Sequence, residues 1–137
     1  MSFREHYVAP SKDFVLTLHQ EIVKVFGGIQ GIRDESLIDS ALATWSSGLS
    51  DGTEFFPEIL QKIARLSYGL ISNHAFLDGN KRVGLLILII LLEEHNYLLV
   101  CSDEILEGAI LDVAAGRLNY EAFYEWVCQN TVKLQAG

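Results

Sequence analysis

Cysteine is scarce in this 137-residue chain, and positive charge is in deficit. The two cysteines, Cys101 and Cys128, lack the paired spacing of a metal or redox site. They read as buried thiols in a reduced, cytoplasmic setting. Ten Lys and Arg against eighteen Asp and Glu leave a formal net charge of −8. That deficit argues against non-specific binding to nucleic acid or anionic membranes, which rests on cations neutralising phosphates. Long apolar runs are missing too. Residues 83–92 hold nine large apolar side chains and one glycine, about half of what a membrane span needs, so they read as a core helix. Residues 1–10 are polar, without an apolar stretch, and no cleavable leader is expected. Strand signals are nearly absent, and there is no internal repeat, low-complexity tract or linker.

What is present is helical punctuation. Half the residues are apolar and a fifth are charged, a globular composition, and the length suffices for one core without staples. Ser11 is a candidate N-cap for a helix carrying Phe14, Leu18, Ile22 and Phe26 on one face, stopped by Gly27-Gly28. Asp34 can cap a second, with Leu37, Ile38, Ala41 and Leu42 turned inward. Residues 45–56 dissolve into Ser, Gly, Asp and Thr between aromatics, a loop or short hairpin flap. Trp45, Phe55 and Phe56 could serve it as a docking surface or as core anchors. Pro57 suits the first turn of a third helix bearing Ile59, Leu60, Ile63, Leu66, Tyr68 and Leu70. The apolar helix runs to about His95 with Asn96 as its stop. Another opens at Ser102 or Asp103 and ends at Gly116. Asn119 caps the last, with Tyr120, Phe123, Trp126 and Val127 facing inward. The sum is an all-α single domain over residues 1–137, about six helices around a central apolar one.

Just before that central helix stands His74-Ala75-Phe76-Leu77-Asp78-Gly79-Asn80-Lys81-Arg82. Histidine is the side chain that can take a proton from an alcohol near neutral pH. Asp78 is a hard oxygen ligand, and Mg²⁺ takes one or two protein carboxylates and fills its shell with water and substrate phosphates. Gly79 and Asn80 permit a tight turn with backbone N–H groups open to close approach. A helix starting near Lys81 aims its free N–H groups at whatever occupies that turn, which favours anions. Lys81 and Arg82 oppose the helix dipole, and a phosphate chain between them and the helix would resolve the conflict. Glu93 and Glu94 oppose it at the other end with no such excuse, so charge placement alone decides nothing. The plainer readings are a capping histidine at His74, a helix cap or a salt bridge to Arg82 at Asp78, and a self-contained cap at Asn80. Phe76 and Leu77 read as packing residues. Asn73 is a candidate to bond the loop backbone, and Gly84 a place where another helix comes close. Other nucleotide and metal signatures are missing: no Gly-x-x-x-x-Gly-Lys-Ser/Thr, no Gly-x-Gly-x-x-Gly, no His-Glu-x-x-His.

These nine residues resemble the core motif of the Fic/Doc superfamily. Its Fic branch reads His-Pro-Phe-x-Asp/Glu-Gly-Asn-Gly-Arg-x-x-Arg, and its death-on-curing (Doc) branch reads His-x-Phe-x-Asp-Ala/Gly-Asn-Lys-Arg. Lys81 stands where Fic proteins have glycine, and Leu85 where they have a second arginine; both departures match the Doc branch. Gly27-Gly28, Gly31-Ile32-Arg33-Asp34 and Ser40-Ala41-Leu42 are also Doc-like in order and spacing, so the likeness covers roughly residues 14–130.

The resemblance implies a toxin of a toxin–antitoxin system that moves the γ-phosphate of ATP onto a threonine of elongation factor Tu and stops translation. His74 would then be the base and Asp78 the Mg²⁺ ligand. Gly79 would form the anion hole, and Asn80, Lys81 and Arg82 would grip phosphates. The family's self-inhibitory motif, Ser/Thr-x-x-x-Glu-Gly/Asn, is missing; the stretch from Ser102 to Gly108 is one residue too long. Restraint is therefore expected from a small antitoxin whose disordered tail folds onto the toxin. Two alternatives stand beside this one. Gly79, shared with Fic proteins where some Doc toxins have alanine, keeps open AMP transfer or other nucleotidyl transfer. A non-catalytic regulatory or binding module is the third.

Overall fold

A computed structural model describes residues 7–135. The reading of residues 1–10 as leaderless therefore falls partly outside the described residues. The chain forms α1 (Lys12–Phe26), α2 (Glu35–Ala43), a 3-10 turn (Thr44–Ser46), α3 (Ile59–Ser72) and α4 (Asn80–Glu94). After these come β1 (Tyr97–Leu99), α5 (Asp103–Ala114), α6 (Tyr120–Gln129) and β2 (Thr131–Lys133). Among the described residues no helix is long and apolar enough to cross a membrane.

Side-chain caps start most of these helices where the sequence places them. Ser11 accepts from Phe14 N, Asp34 from Ser36 N, Ser102 from Ile105 N and Asn119 from Ala122 N. Asn96, at φ 64°, turns the chain out of α4 in the left-handed conformation that asparagine tolerates. Pro57 falls outside α3: Glu58 is the N-cap, its N–H bonded to Gln61 Oε1 at 2.8 Å. Here the backward-reaching Gln61 side chain, not the proline ring, sets the first turn.

The inner face of α1 also differs from expectation. Val15, His19, Ile22 and Val23 are buried, whereas Phe14 and Phe26 are exposed. A strict spacing of four overshoots a 3.6-residue turn by about 40° per step, so a stripe drawn through Phe14 and Phe26 winds off the core. On α6, Phe123 and Val127 are fully buried while Tyr120 and Trp126 are only half-buried.

At the centre is α4, apolar on every side. Val83, Gly84, Ile87, Leu88, Leu91 and Leu92 are buried, and α3, α1, β1 and α5 pack around it. Such a helix is stable only when surrounded. Its tightest partner is α3, across Gly84. Ser67 Oγ donates to the Gly84 carbonyl at 2.8 Å, and a Cβ at Gly84 would lie 2.2 Å from Ile71 Cγ1.

Two pieces of non-helical structure complete the fold. β1 and β2 pair antiparallel, Leu98 opposite Val132, a small sheet that the sequence did not announce. Residues 47–55 fold back as a hairpin-like loop, with Phe55 N bonded to Ser47 O at 2.9 Å and a bridge between Gly48 and Glu54. Trp45 and Phe56 are anchors. Trp45 is buried and donates to Tyr7 O, and Phe56 sits edge-on to Tyr120 at 5.2 Å. The buried Lys62 ammonium bonds both the Trp45 carbonyl and the Glu54 carboxylate, pinning the loop from beneath. Phe55 alone of the three aromatics projects outward.

Gly84→Ala tests the α3–α4 contact. Alanine gains about 1 kcal/mol of helix propensity, but overpacking a rigid core costs about 1–3 kcal/mol. The clash is with Ile71, itself fully buried, so the expected net result is a lower melting temperature. An unchanged or raised melting temperature would show that the helices can part without cost.

Candidate active site

The α3–α4 connection, residues 73–79, carries the motif, and its shape is imposed from outside. His74 has φ 53° and Gly79 φ 80°, two left-handed residues in one short turn. The segment after α1 laces across it. Arg33 N and Asp34 N donate to Ala75 O at 2.8 and 3.0 Å, and Leu77 N donates to Gly31 O at 3.1 Å. The Arg33 side chain holds the carbonyls of His74 (Nε, 2.6 Å) and Asn73 (Nη2, 3.0 Å). What Asn73 offers the loop is thus its carbonyl. Arg33 had no role assigned from the sequence, because only the fold brings it beside residues forty positions on.

Inside the turn, Asn80 closes a ring. Its Oδ1 accepts from Phe76 N at 3.0 Å and its Nδ2 donates to Phe76 O at 2.9 Å. Asn80 is therefore not the helix cap. Gly79 holds that position without a side-chain bond, leaving the first-turn N–H groups of α4 open. Ala75 and Phe76 are buried, as packing residues should be; Leu77 is exposed and only leans over Gly31.

Asp78 lies at the rim. Its Oδ2 accepts from Ile29 N at 3.2 Å and its Oδ1 from Gly79 N at 2.9 Å. Its carbonyl accepts from the ring of His19 at 2.8 Å. A Cβ at Gly28 would approach Asp78 Oδ2 to 2.6 Å, so the glycine makes room for the carboxylate. No salt bridge joins Asp78 to Arg82 among the described residues. Arg82 instead lies over the Phe26 ring, 4.4 Å from its centroid, and Lys81 is exposed with no ion pair among the described residues. The His74 ring is likewise exposed, and no described residue bonds it.

Two hollows meet at this rim. A cleft of about 560 Å³ runs between the start of α4 and α5. Its floor is Asp78 to Arg82, its apolar wall is Leu85, Leu106, Ile110 and Leu111, and Asp103 and Glu107 add acid. A second hollow of about 510 Å³ shares Asp78, Gly79, Asn80 and Lys81 and adds His74 and Arg117. The six residues singled out in the sequence thus lie together, with His74 on one side of Asp78 and Arg82 on the other. The α5 wall, Arg33 and His19 were not foreseen. His19 alone left a trace, as a polar residue on the buried stripe of an amphipathic helix.

The Asn80 ring of hydrogen bonds predicts an imbalance in stability. Asn80→Ala leaves both Phe76 backbone groups unpaired and should cost about 1–3 kcal/mol by denaturant titration. His74→Ala breaks no hydrogen bond of the ring, so its loss should be the smaller of the two. The reverse order would show that the turn is held elsewhere.

Comparison with known proteins agrees with this geometry. Residues 9–92, which span α1 through most of α4 and hold the whole turn, match the Fic/DOC family. A relative, "Toxin Doc" of Mycolicibacterium smegmatis (strain ATCC 700084 / mc(2)155), is 40% identical over 57 residues, 42% of this chain. That match spans 43% of the relative's own length. Family profile, motif and helical fold coincide on the same residues, and the chain belongs to the Fic/DOC family.

Proposed function

We propose that this chain is a Doc-type toxin, a kinase that transfers the γ-phosphate of ATP to a Ser or Thr hydroxyl of a translation factor, elongation factor Tu first among candidates. Blocked protein synthesis would follow, with a small antitoxin as its restraint and the cytoplasm as its setting. One observation carries the reading: a cation and an imidazole without a partner among the described residues, open helix N–H groups and an exposed carboxylate share one rim. Phosphoryl transfer asks a protein for little else, since positioning and charge neutralisation supply most of the catalysis.

The donor set suits Mg²⁺. Each Asp78 oxygen takes one backbone N–H and the residue is exposed, so acceptor capacity remains, and no cluster of three His, Cys, Asp or Glu stands among the described residues. One carboxylate with water and phosphate oxygens is a normal magnesium shell; bound there, the ion would neutralise charge developing on the phosphates. Open N–H groups at Asn80, Lys81 and Arg82, with the Lys81 ammonium, would hold phosphate oxygens. Asn80 would contribute mainly through its backbone, since its amide is engaged with Phe76. His74 would take the target's hydroxyl proton as that oxygen bonds to the γ-phosphorus and the bond to ADP breaks. Arg33, holding the His74 carbonyl, would keep the ring on the hydroxyl side.

Leu85 lies in the cleft where a second motif arginine would stand, which favours phosphoryl over adenylyl transfer. Gly79, shared with Fic proteins where some Doc toxins have alanine, supports the second reading, AMP transfer; at φ 80° it stands where an alanine would be strained.

Intact mass of elongation factor Tu after incubation with this protein, ATP and Mg²⁺ separates these readings. A gain of about 80 Da marks phosphoryl transfer and one of about 329 Da adenylyl transfer. His74→Ala should lower the rate about 10²–10⁴-fold while the fold persists; undiminished transfer would remove His74 from the chemistry. Asp78→Asn should weaken Mg²⁺-dependent ATP binding on the order of tenfold, about 1.4 kcal/mol. Equal affinity with and without the metal would show that Asp78 is no ligand.

A further inference from the structure

We infer that His19 is a positioning residue: it sets the peptide plane between Asp78 and Gly79 and thereby aims the carboxylate and N–H groups of the phosphate-binding rim. The inference rests on the proposed function for its consequence, though not for its geometry.

His19 is 2% exposed, on the inner face of α1, fifty-nine residues from its partner. Its ring lies flat on Phe76, centroids 3.8 Å apart and planes 8° from parallel, and its Nε2 is 2.8 Å from the Asp78 carbonyl. A carbonyl only accepts, so Nε2 carries the proton and donates. The contact therefore does two separable things: it packs a ring against the turn, and it fixes one oxygen.

That oxygen belongs to a peptide with little else to hold it. Gly79 follows at φ 80° and, lacking a Cβ, would allow the plane to turn over at small steric cost. In a trans peptide the N–H points opposite to the C=O. With the carbonyl drawn inward to His19, the Gly79 N–H points out and meets Asp78 Oδ1 at 2.9 Å. The carboxylate is held again from α1's side, by Ile29 N at Oδ2 and by the space Gly28 leaves. Turned over, the same peptide would present its carbonyl oxygen to the rim, strip Oδ1 of its donor and oppose an anion. The His19 hydrogen bond selects between these two arrangements, and a buried histidine serving only as packing would not.

Two substitutions divide the roles. His19→Phe keeps the ring stack and loses the donor; His19→Gln keeps a donor of similar reach and loses the stack. Positioning predicts that His19→Phe weakens Mg²⁺-dependent ATP binding, measured calorimetrically, on the order of tenfold. His19→Gln should then restore it to near wild type even if its melting temperature is lower. A packing role predicts the opposite order, and that order would overturn the inference. The Gly79 amide resonance, recorded without metal or nucleotide, gives a second readout. It should shift in His19→Phe and return in His19→Gln, and a resonance unmoved in both variants also overturns it. Should His19→Phe not fold, His19→Met fills the space without a donor. If the wild-type chain itself binds no ATP, the proposed function fails while the Gly79 resonance still decides the role of His19.

Discussion

The structure turns on the burial of a helix that is apolar all round. α4 has no face that prefers water, so α1, α3, α5 and β1 must each supply a wall, and the close approach at Gly84 lets α3 do so at backbone distance. Burying the body of α4 leaves its two end turns to reach solvent, Glu93 and Glu94 at the last and the motif residues at the first. Lys81 and Arg82 are its exposed residues there, and its N–H groups open onto the cleft. One constraint thus builds the core and places an anion-attracting helix start at its rim. The candidate site lies at the N-terminal end of the element that holds the protein together.

A turn carrying two left-handed residues beside such a core needs more than its own sequence to keep its shape. Each left-handed position costs little at glycine and more at His74, and that cost is sustained only when neighbours over-determine the conformation. Asn80 does so from within and Arg33 from across the chain. These bonds engage both backbone groups of Phe76 and the carbonyls of Asn73 and His74, which restrains the turn between its two ends. Among the described residues the His74 ring, the Lys81 ammonium and the first N–H groups of α4 carry no such bond. A rigid frame around a few unsatisfied groups is what preorganised catalysis requires.

How much of this was legible in the sequence follows from the range of each interaction. Ser11, Asp34, Ser102 and Asn119 were readable because a cap acts over three residues. The motif was readable because its six candidate residues fall within nine consecutive positions. Misreadings arose where several elements compete for one side chain. The Phe14–Phe26 stripe obeyed a spacing but lost to Val15 and His19, whose side is the one α4 covers. Leu77 looked like Phe76 in composition, yet Phe76 stacks on His19 in the core while Leu77 leans outward over Gly31. β1 and β2 were invisible because three residues of strand carry no period, and their pairing joins segments more than thirty residues apart. Arg33 and His19 act across forty and fifty-nine residues through contacts that exist only once α1 has docked.

Charge around the cleft carries the reading one step further. Two cations, Lys81 and Arg82, face three carboxylates, Asp78, Asp103 and Glu107, so the walls alone hold a slight negative excess. Asp103 is explained by its own helix, since it sits in the first turn of α5, where the dipole favours acid. Glu107, a turn further on, has no such reason. A polyphosphate entering such a cleft without a counter-ion would meet three carboxylates beside the two cations and the open N–H groups, in a recess where charges are screened less than in open water. On the proposed function the nucleotide would arrive as its magnesium complex with much of that charge neutralised, and Asp78 would change from an opponent of the ligand into its partner. On the proposed function the acidic wall of α5 would favour the metal complex over the free nucleotide, through residues that need never touch the reacting atoms.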